Sequence, residues 1–277
     1  MKTIILCADD YGQNQAISQA IIALLKKKHL SATSCMTTSV FWPVHAAWLG
    51  DFTDQADIGL HFNLTEGKPL SQALIQSHGF MSLSKLLIRA YGRALDAVAI
   101  EAELHAQLDH FERAMGCLPA FIDGHQHVHQ LPVIRQVFLK VYRARLRQHP
   151  IYVRCVYEQQ AFLHVKNRYD CKNIIIQLLG AKACKKELVK QQIPHNSSFS
   201  GIYSFVDAIH YAHIFPLFLA KIKTEGMIMC HPGLANQTDP DVIAKARFYE
   251  YQYLESEQFV RDCHAASVVL GRFKNIC

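Results

Sequence analysis

The run Thr3-Ile4-Ile5-Leu6-Cys7-Ala8 stops at Asp9-Asp10-Tyr11-Gly12, and over Asn14–Lys28 the residues Ile17, Ala20, Ile21, Leu24 and Leu25 recur at helical spacing. An unbroken apolar run is the pattern of a strand buried on both faces, and the stripe after it is the inward face of a helix. Strand, polar turn and helix form the opening unit of a parallel α/β fold. The rest of the chain repeats it. Ser34–Phe41 and Asp57–Leu64 read as strands, the second carrying Ile58, Leu60 and Phe62 before Glu66-Gly67 ends it. A helix over Ile100–Met115 breaks at Gly116–Pro119, the strand Ala120–Asp123 follows, and Pro132 opens a helix with Val133, Val137, Leu139 and Val141 on its packed face. Ile151–Tyr157 is a strand, Asn173–Lys190 helical, Ile193–Tyr203 a loop, and Phe205–Lys223 a helix that Pro216 should kink. Met227–Cys230, a long helix over Asp241–Ala265 and a last strand at Ser267–Leu270 complete the pattern. The reading is an α/β, (β/α)-barrel-like fold of about seven mainly parallel strands. No linker interrupts it, so residues 1–277 are expected to form a single domain, with Ser71–Asp96, which fits the alternation poorly, as an excursion or lid.

Composition narrows the function classes. The chain has 277 residues, half of them hydrophobic, enough for a sizeable core. Its first apolar run is too short for a signal-peptide core, and no stretch is long enough for a membrane span. Nine cysteines lie scattered without a C-x-x-C pair, the pattern of reduced buried thiols, so a cytoplasmic protein is expected. The net charge of +6 sits in helix-like clusters such as Lys26-Lys27-Lys28 and Arg143/Arg145/Arg147, without interleaved aromatic residues, so no nucleic-acid partner is expected.

In parallel α/β folds functional groups collect where strands hand over to loops. Four segments put polar residues there: Asp9-Asp10-Tyr11-Gly12, His61-Phe62-Asn63, Asp123-Gly124-His125-Gln126-His127-Val128-His129 and His231-Pro232-Gly233. Adjacent carboxylates after a buried strand raise each other's pKa unless a cation compensates them. Strand alternation would put His125, His127 and His129 on one face, although Gly124 should end the regular strand first, so at least one of the three is expected to be a ligand. Two imidazoles and one carboxylate with open positions make a site for a catalytic divalent metal, and hydrolysis is its natural reaction.

With the stretch Gly59–Gly67 added, these motifs resemble, in order and spacing, the YdjC-like carbohydrate deacetylases, a group that includes chitooligosaccharide deacetylase and a deacetylase of hopanoid biosynthesis. The resemblance implies a barrel related to polysaccharide deacetylases, often a homodimer, which removes an acetyl group from an N-acetylated amino sugar, as an oligosaccharide or a glycolipid head group. It implies one divalent cation held by Asp10, His61 and His125; magnesium is the family's usual metal, whereas the ligand set suits zinc or cobalt. Asp9 becomes the general base, His231 the acid that protonates the departing amine, and Arg154 a residue that orients Asp9 or binds substrate. Tyr11 and Asn63 are expected to line the sugar pocket, and His127 and His129 to support the ligands or touch substrate. Two rival readings are a metal-dependent sugar isomerase or lyase and a carbohydrate-binding protein without chemistry; acetate release that requires Asp9 separates deacetylation from both.

Overall fold

The computed structural model describes residues 1–158, 177–235 and 241–273. Eight strands are found there: β1 (Lys2–Tyr11), β2 (Ala32–Cys35), β3 (Asp57–Phe62), β4 (Phe121–Gly124), β5 (Tyr152–Val153), β6 (Phe199–Ser200), β7 (Met227–Cys230) and β8 (Val268–Leu270). Their order is β5-β4-β3-β2-β1-β7-β6, every pairing is parallel, and β8 joins the first residues of β1 on the edge that β2 occupies farther along. The two far edges approach each other, because Val153 of β5 bridges His195, just ahead of β6. The sheet therefore curls into a barrel-like shape, as the alternation predicts.

Helices cover its outside: α1 (Gln15–Lys26), α2 (Trp42–His45), α3 (Gln72–Ser77), α4 (Leu83–Tyr91), α5 (Ala97–Met115), α6 (Ile134–Val141), α7 (Lys182–Lys190), α8 (Tyr211–Lys221), α9 (Ala244–Glu255) and α10 (Glu257–Ala265). Asn14 caps α1 by accepting from Ile17 N, and Asp96 caps α5 by accepting from Val98 N and Ala99 N. Strand parity then separates two cores. Ile4, Leu6 and Ala8 pack outward with the helices, while Ile5 and Cys7 join Phe121, Tyr152, Phe199, Met227 and Met229 inside the curl. Phe273 plugs the amino-terminal end by stacking on Tyr152 at 4.1 Å between ring centroids.

Several boundaries differ from expectation, each for a local reason. The strand expected over Ser34–Phe41 lies at Ala32–Cys35, because a turn at Ser39 leads the chain into α2, where Pro43 stands in the first turn. Only Tyr152–Val153 of the expected Ile151–Tyr157 strand is paired, and the expected loop Ile193–Tyr203 contains β6. The single long helix expected over Asp241–Ala265 is two, since Ser256 is extended (ψ 158°) and its side chain caps α10. Residues 71–96 form α3 and α4, and the first four residues of the expected Asn173–Lys190 helix lie outside the described residues.

Gly59 tests the inner packing. A Cβ there would meet the Phe121 ring at 2.4 Å, and that ring is itself stacked on Tyr152. Gly59→Ala should cost about 1–3 kcal/mol by over-packing, read as a lower urea midpoint; an unchanged midpoint would show that the inner layer yields freely.

Candidate functional site

Continuing the inward parity of each strand past its apolar part gives the site. Ile5-Cys7 leads to Asp9, Gly59 to His61, Phe121 to Asp123, Tyr152 to Arg154, and Met227-Met229 to His231. Asp10 breaks this parity and should face the helices. It reaches the same place because its φ is +67° and the register with β2 slips between Ala8 and Tyr11, so both aspartates line one cavity.

Asp10 is the shared acceptor. Its Oδ1 takes a hydrogen bond from His125 Nδ1 at 2.9 Å and lies 3.4 Å from His61 Nε2, while Arg247 Nη2 donates to Oδ2 at 2.7 Å. On its far side, the His61 ring donates from Nδ1 to Asp123 Oδ1 at 2.6 Å, and Ser34 Oγ donates to that same oxygen. This fixes the imidazole so that Nε2 faces Asp10, the carboxylate-backed arrangement typical of metal-ligating histidines. Ligand atoms of Asp10, His61 and His125 all lie within 4.8 Å of one another, and all three residues are buried. Ligand atoms of Asp9, His61 and Asp123 lie equally close together, but Arg154 already fills that side. Its Nη1 and Nη2 donate to the two Asp9 oxygens at 2.6 and 2.5 Å, and Nη2 is 2.8 Å from Asp123 Oδ2. The donor set of Asp10, His61 and His125 therefore fits a divalent cation, and the second set does not.

The electrostatics follow from these contacts. Burial alone would raise Asp10, but Arg247 and His125 hold it well below the usual carboxylate range. Burial would lower both histidines, yet Asp123, Asp9 and Asp10 push His61 up to about 10, and Asp10 with Glu66 pushes His125 up to about 9. Burial, helped by Arg154, takes His127 well below its ordinary value and His129 down to about 4.

The three histidines after Gly124 part company, because Gln126 and His127 adopt left-handed φ values of 52° and 59°. His125 turns to Asp10, His127 lines the cavity edge-on to Phe199, and His129 is fully buried with Nε2 donating to the Arg154 carbonyl. His231 lines the same cavity; its backbone N–H donates to Glu250, whose other oxygen accepts from the Tyr203 hydroxyl at 2.6 Å. Tyr11 and Asn63, expected in the pocket, are not there. Both are fully buried: Tyr11 donates to the His45 carbonyl, and Asn63 holds the Thr65-Glu66 turn through its side-chain amide. Asn63 thereby sets Glu66, whose Oε1 lies 3.1 Å from His125 Nε2 in ion-pair but not hydrogen-bond geometry. The sequence alone assigns no role to Glu66, Asp123, Arg247 or Glu250. Asp123, inside the histidine-rich segment, and Glu66, inside the Gly59–Gly67 stretch, carry a signal; Arg247 and Glu250 come from α9, where a charged residue reads as surface.

A cavity of about 490 Å³ opens above these groups. Among the described residues no helix is long and apolar enough to cross a membrane.

A profile described as YdjC-like protein matches residues 3–265, and the chain belongs to that family. It is 35% identical to a carbohydrate deacetylase of Danio rerio over 50% of this chain and 45% of that protein. A chitooligosaccharide deacetylase of Yersinia pestis is 37% identical over 48% of this chain and 53% of its own. The chain thus spans about half the length of the curated relatives it matches. Among solved structures, a candidate cellobiose-phosphate cleavage protein of Enterococcus faecalis superposes with a TM-score of 0.69 at 17% identity, covering 100% of this chain and 99% of that one. A peptidoglycan N-acetylglucosamine deacetylase superposes at 0.54 with 9% identity, covering 99% and 87%. These two likenesses show the shared fold.

Arg154 is fully buried between two carboxylates, so removing it strands both charges. Arg154→Leu should lower stability by about 3–5 kcal/mol in urea titrations. A loss under about 1 kcal/mol would mean that Asp9 and Asp123 do not depend on it.

Proposed function

We propose that this member of the YdjC-like family hydrolyses the acetyl amide of an N-acetylated amino sugar, with a divalent cation, magnesium or zinc, held by Asp10, His61 and His125. The observation that carries the reading is the Asp10 oxygen shared by two buried imidazoles on the floor of a cavity that Asp9 and His231 also line. The names of the curated relatives supply the substrate class.

Amide hydrolysis needs an activated water, a polarised carbonyl and a proton for an amine that cannot leave as an anion. A cation in this site supplies the second need and eases the first by lowering the pKa of water. Asp9 takes the proton from the attacking water, and the two-pronged grip of Arg154 holds its carboxylate in one orientation. His231 gives a proton to the departing nitrogen. Its place is set by the backbone bond to Glu250 and by the following Pro232-Gly233 turn, which packs on Arg247. His127, held neutral by burial, borders the cavity where a sugar would lie. The free, mostly buried thiols among the described residues support a cytoplasmic setting for the reaction.

Acetate release from N-acetylglucosamine oligomers, measured with the metal content of the same sample, tests the reaction. Asp9→Asn should lower kcat by at least about a hundredfold while the cation stays bound; isomerised sugar without acetate, or binding without turnover under several divalent metals, would refute deacetylation. Cation uptake has its own signature. His61 and His125, raised to about 10 and 9, hold protons at pH 7 that a cation must displace. Calorimetry in two buffers of different ionisation enthalpy should therefore show proton release near neutrality, and affinity should rise with pH until about 9–10. Affinity that does not change between pH 6 and 9 would exclude these two imidazoles as ligands.

A further inference from the structure

Each imidazole of the Asp10 cluster stands between two acids. His61 turns Nε2 toward Asp10 Oδ1 and gives Nδ1 to Asp123 Oδ1 at 2.6 Å. His125 is turned the other way round: Nδ1 meets Asp10 Oδ1 at 2.9 Å, and Nε2, buried and without a hydrogen bond, has Glu66 Oε1 at 3.1 Å. A buried ring N–H without an acceptor is costly, and a carboxylate at this distance supplies one with a small turn of its side chain. Glu66 is also held in place. Asn63 Oδ1 accepts from Thr65 N and Glu66 N, Asn63 Nδ2 donates to the Glu66 carbonyl at 2.6 Å, and Gln13 donates to Glu66 Oε2 at 2.7 Å, which leaves Oε1 for His125. The Asn63 backbone is in turn tied to α5, where the fully buried Gln107 side chain accepts from Asn63 N and donates to Asn63 O and to Glu103. Glu103, equally buried, accepts from Leu70 N and Ser71 N farther along the same loop. Two buried polar side chains of one helix thus fix the loop that carries Glu66.

On the metal reading of the floor, we infer that Glu66 is a positioning residue for the cation: its carboxylate orients His125 through Nε2–H, so that His125 ligates through Nδ1. Asp123 does the same for His61 through Nδ1–H, so that His61 ligates through Nε2. The two histidines then bind in opposite tautomers, as the atoms that each turns toward Asp10 require. An acid behind a ligating imidazole fixes its ring and raises its basicity, so the affinity of the site depends on both acids. Glu66 differs from Asp123 in exposure: 40% of its side chain is open and it lines the cavity, whereas the Asp123 side chain is fully buried. Replacing Glu66 therefore leaves the core closed, which makes it the acid of the pair that can be tested by substitution.

Zinc and magnesium titrated into the full chain at one fixed pH, followed by calorimetry, give the first measurement. Glu66→Ala should weaken zinc binding by about ten- to a hundredfold. Glu66→Gln, which keeps an acceptor for Nε2–H but not the charge, should fall between Glu66→Ala and the unmodified protein. A second measurement needs no variant. Nitrogen NMR of the unmodified protein, with isotope-labelled histidine and cadmium as the bound ion, should show two imidazole nitrogens coupled to the metal, one of them an Nδ1 and the other an Nε2. Coupling to two Nε2 atoms, or equal zinc affinity in all three proteins, would overturn the inference and leave the metal reading standing. Uptake of neither zinc nor magnesium by the unmodified protein would overturn the metal reading and this inference with it.

Discussion

Two carboxylates placed side by side at the end of a buried strand must each be given a partner, and most of the architecture around the site answers that need. Asp9 and Asp10 are each 2% exposed, so water cannot separate their charges. Arg154, from the end of β5, takes Asp9, and Arg247, from α9, takes Asp10. Each guanidinium is itself buried, and burial is tolerable only because each meets two acids: Asp9 and Asp123 for Arg154, Asp10 and Asp241 for Arg247. The positions of β5 and α9 are thereby tied to β1. The His231-Pro232-Gly233 turn is tied in as well, since Gly233 N donates to the Arg247 carbonyl and a Cβ at Gly233 would lie 3.1 Å from the Arg247 side chain.

Parity joins this charged layer to the fold beneath it. Along β1, β3, β4 and β5 the inward positions are filled at the amino-terminal end by Ile5 and Cys7, Gly59, Phe121 and Tyr152, and the next inward residue of each strand is polar. His61 pairs in register with Asp123, so their hydrogen bond is a cross-strand contact between neighbouring strands. A shift of one residue in either strand would send these side chains out among the helices. The aromatic layer of Phe121, Tyr152 and Phe273 therefore serves the site by fixing register, although none of its members reaches the cavity.

Features governed by short-range pattern were legible in the sequence, and those set by distant packing were not. Met227–Cys230 reads as a strand because its apolar run ends abruptly at His231, and the strand has those bounds. The four polar segments were found because each directly follows such a run. Tyr11 and Asn63 were misjudged for the same reason: nearness to a motif does not reveal parity, and both point into structure instead of the cavity. The positive φ at Asp10, Gln126 and His127 decides which neighbouring side chains converge, and none of these residues is a glycine that would announce such a turn. Arg247 and Glu250 sit in a helix with Phe248, Tyr249 and Tyr251, where no apolar stripe separates an inner from an outer face.

Charge balance shows how the floor tolerates so many buried acids. Asp9, Asp10 and Asp123 bring three negative charges to the floor against two guanidinium groups, one of which also serves Asp241. The excess holds protons on His61 and His125, whose pKa values rise to about 10 and 9 despite the opposing effect of burial. Two imidazolium protons carry the same charge as one divalent ion. Under the proposed metal reading, a divalent ion would take the place of those two protons with little change in the field around the two arginines. The acids that make the floor costly to bury are thus the groups that draw positive charge to it.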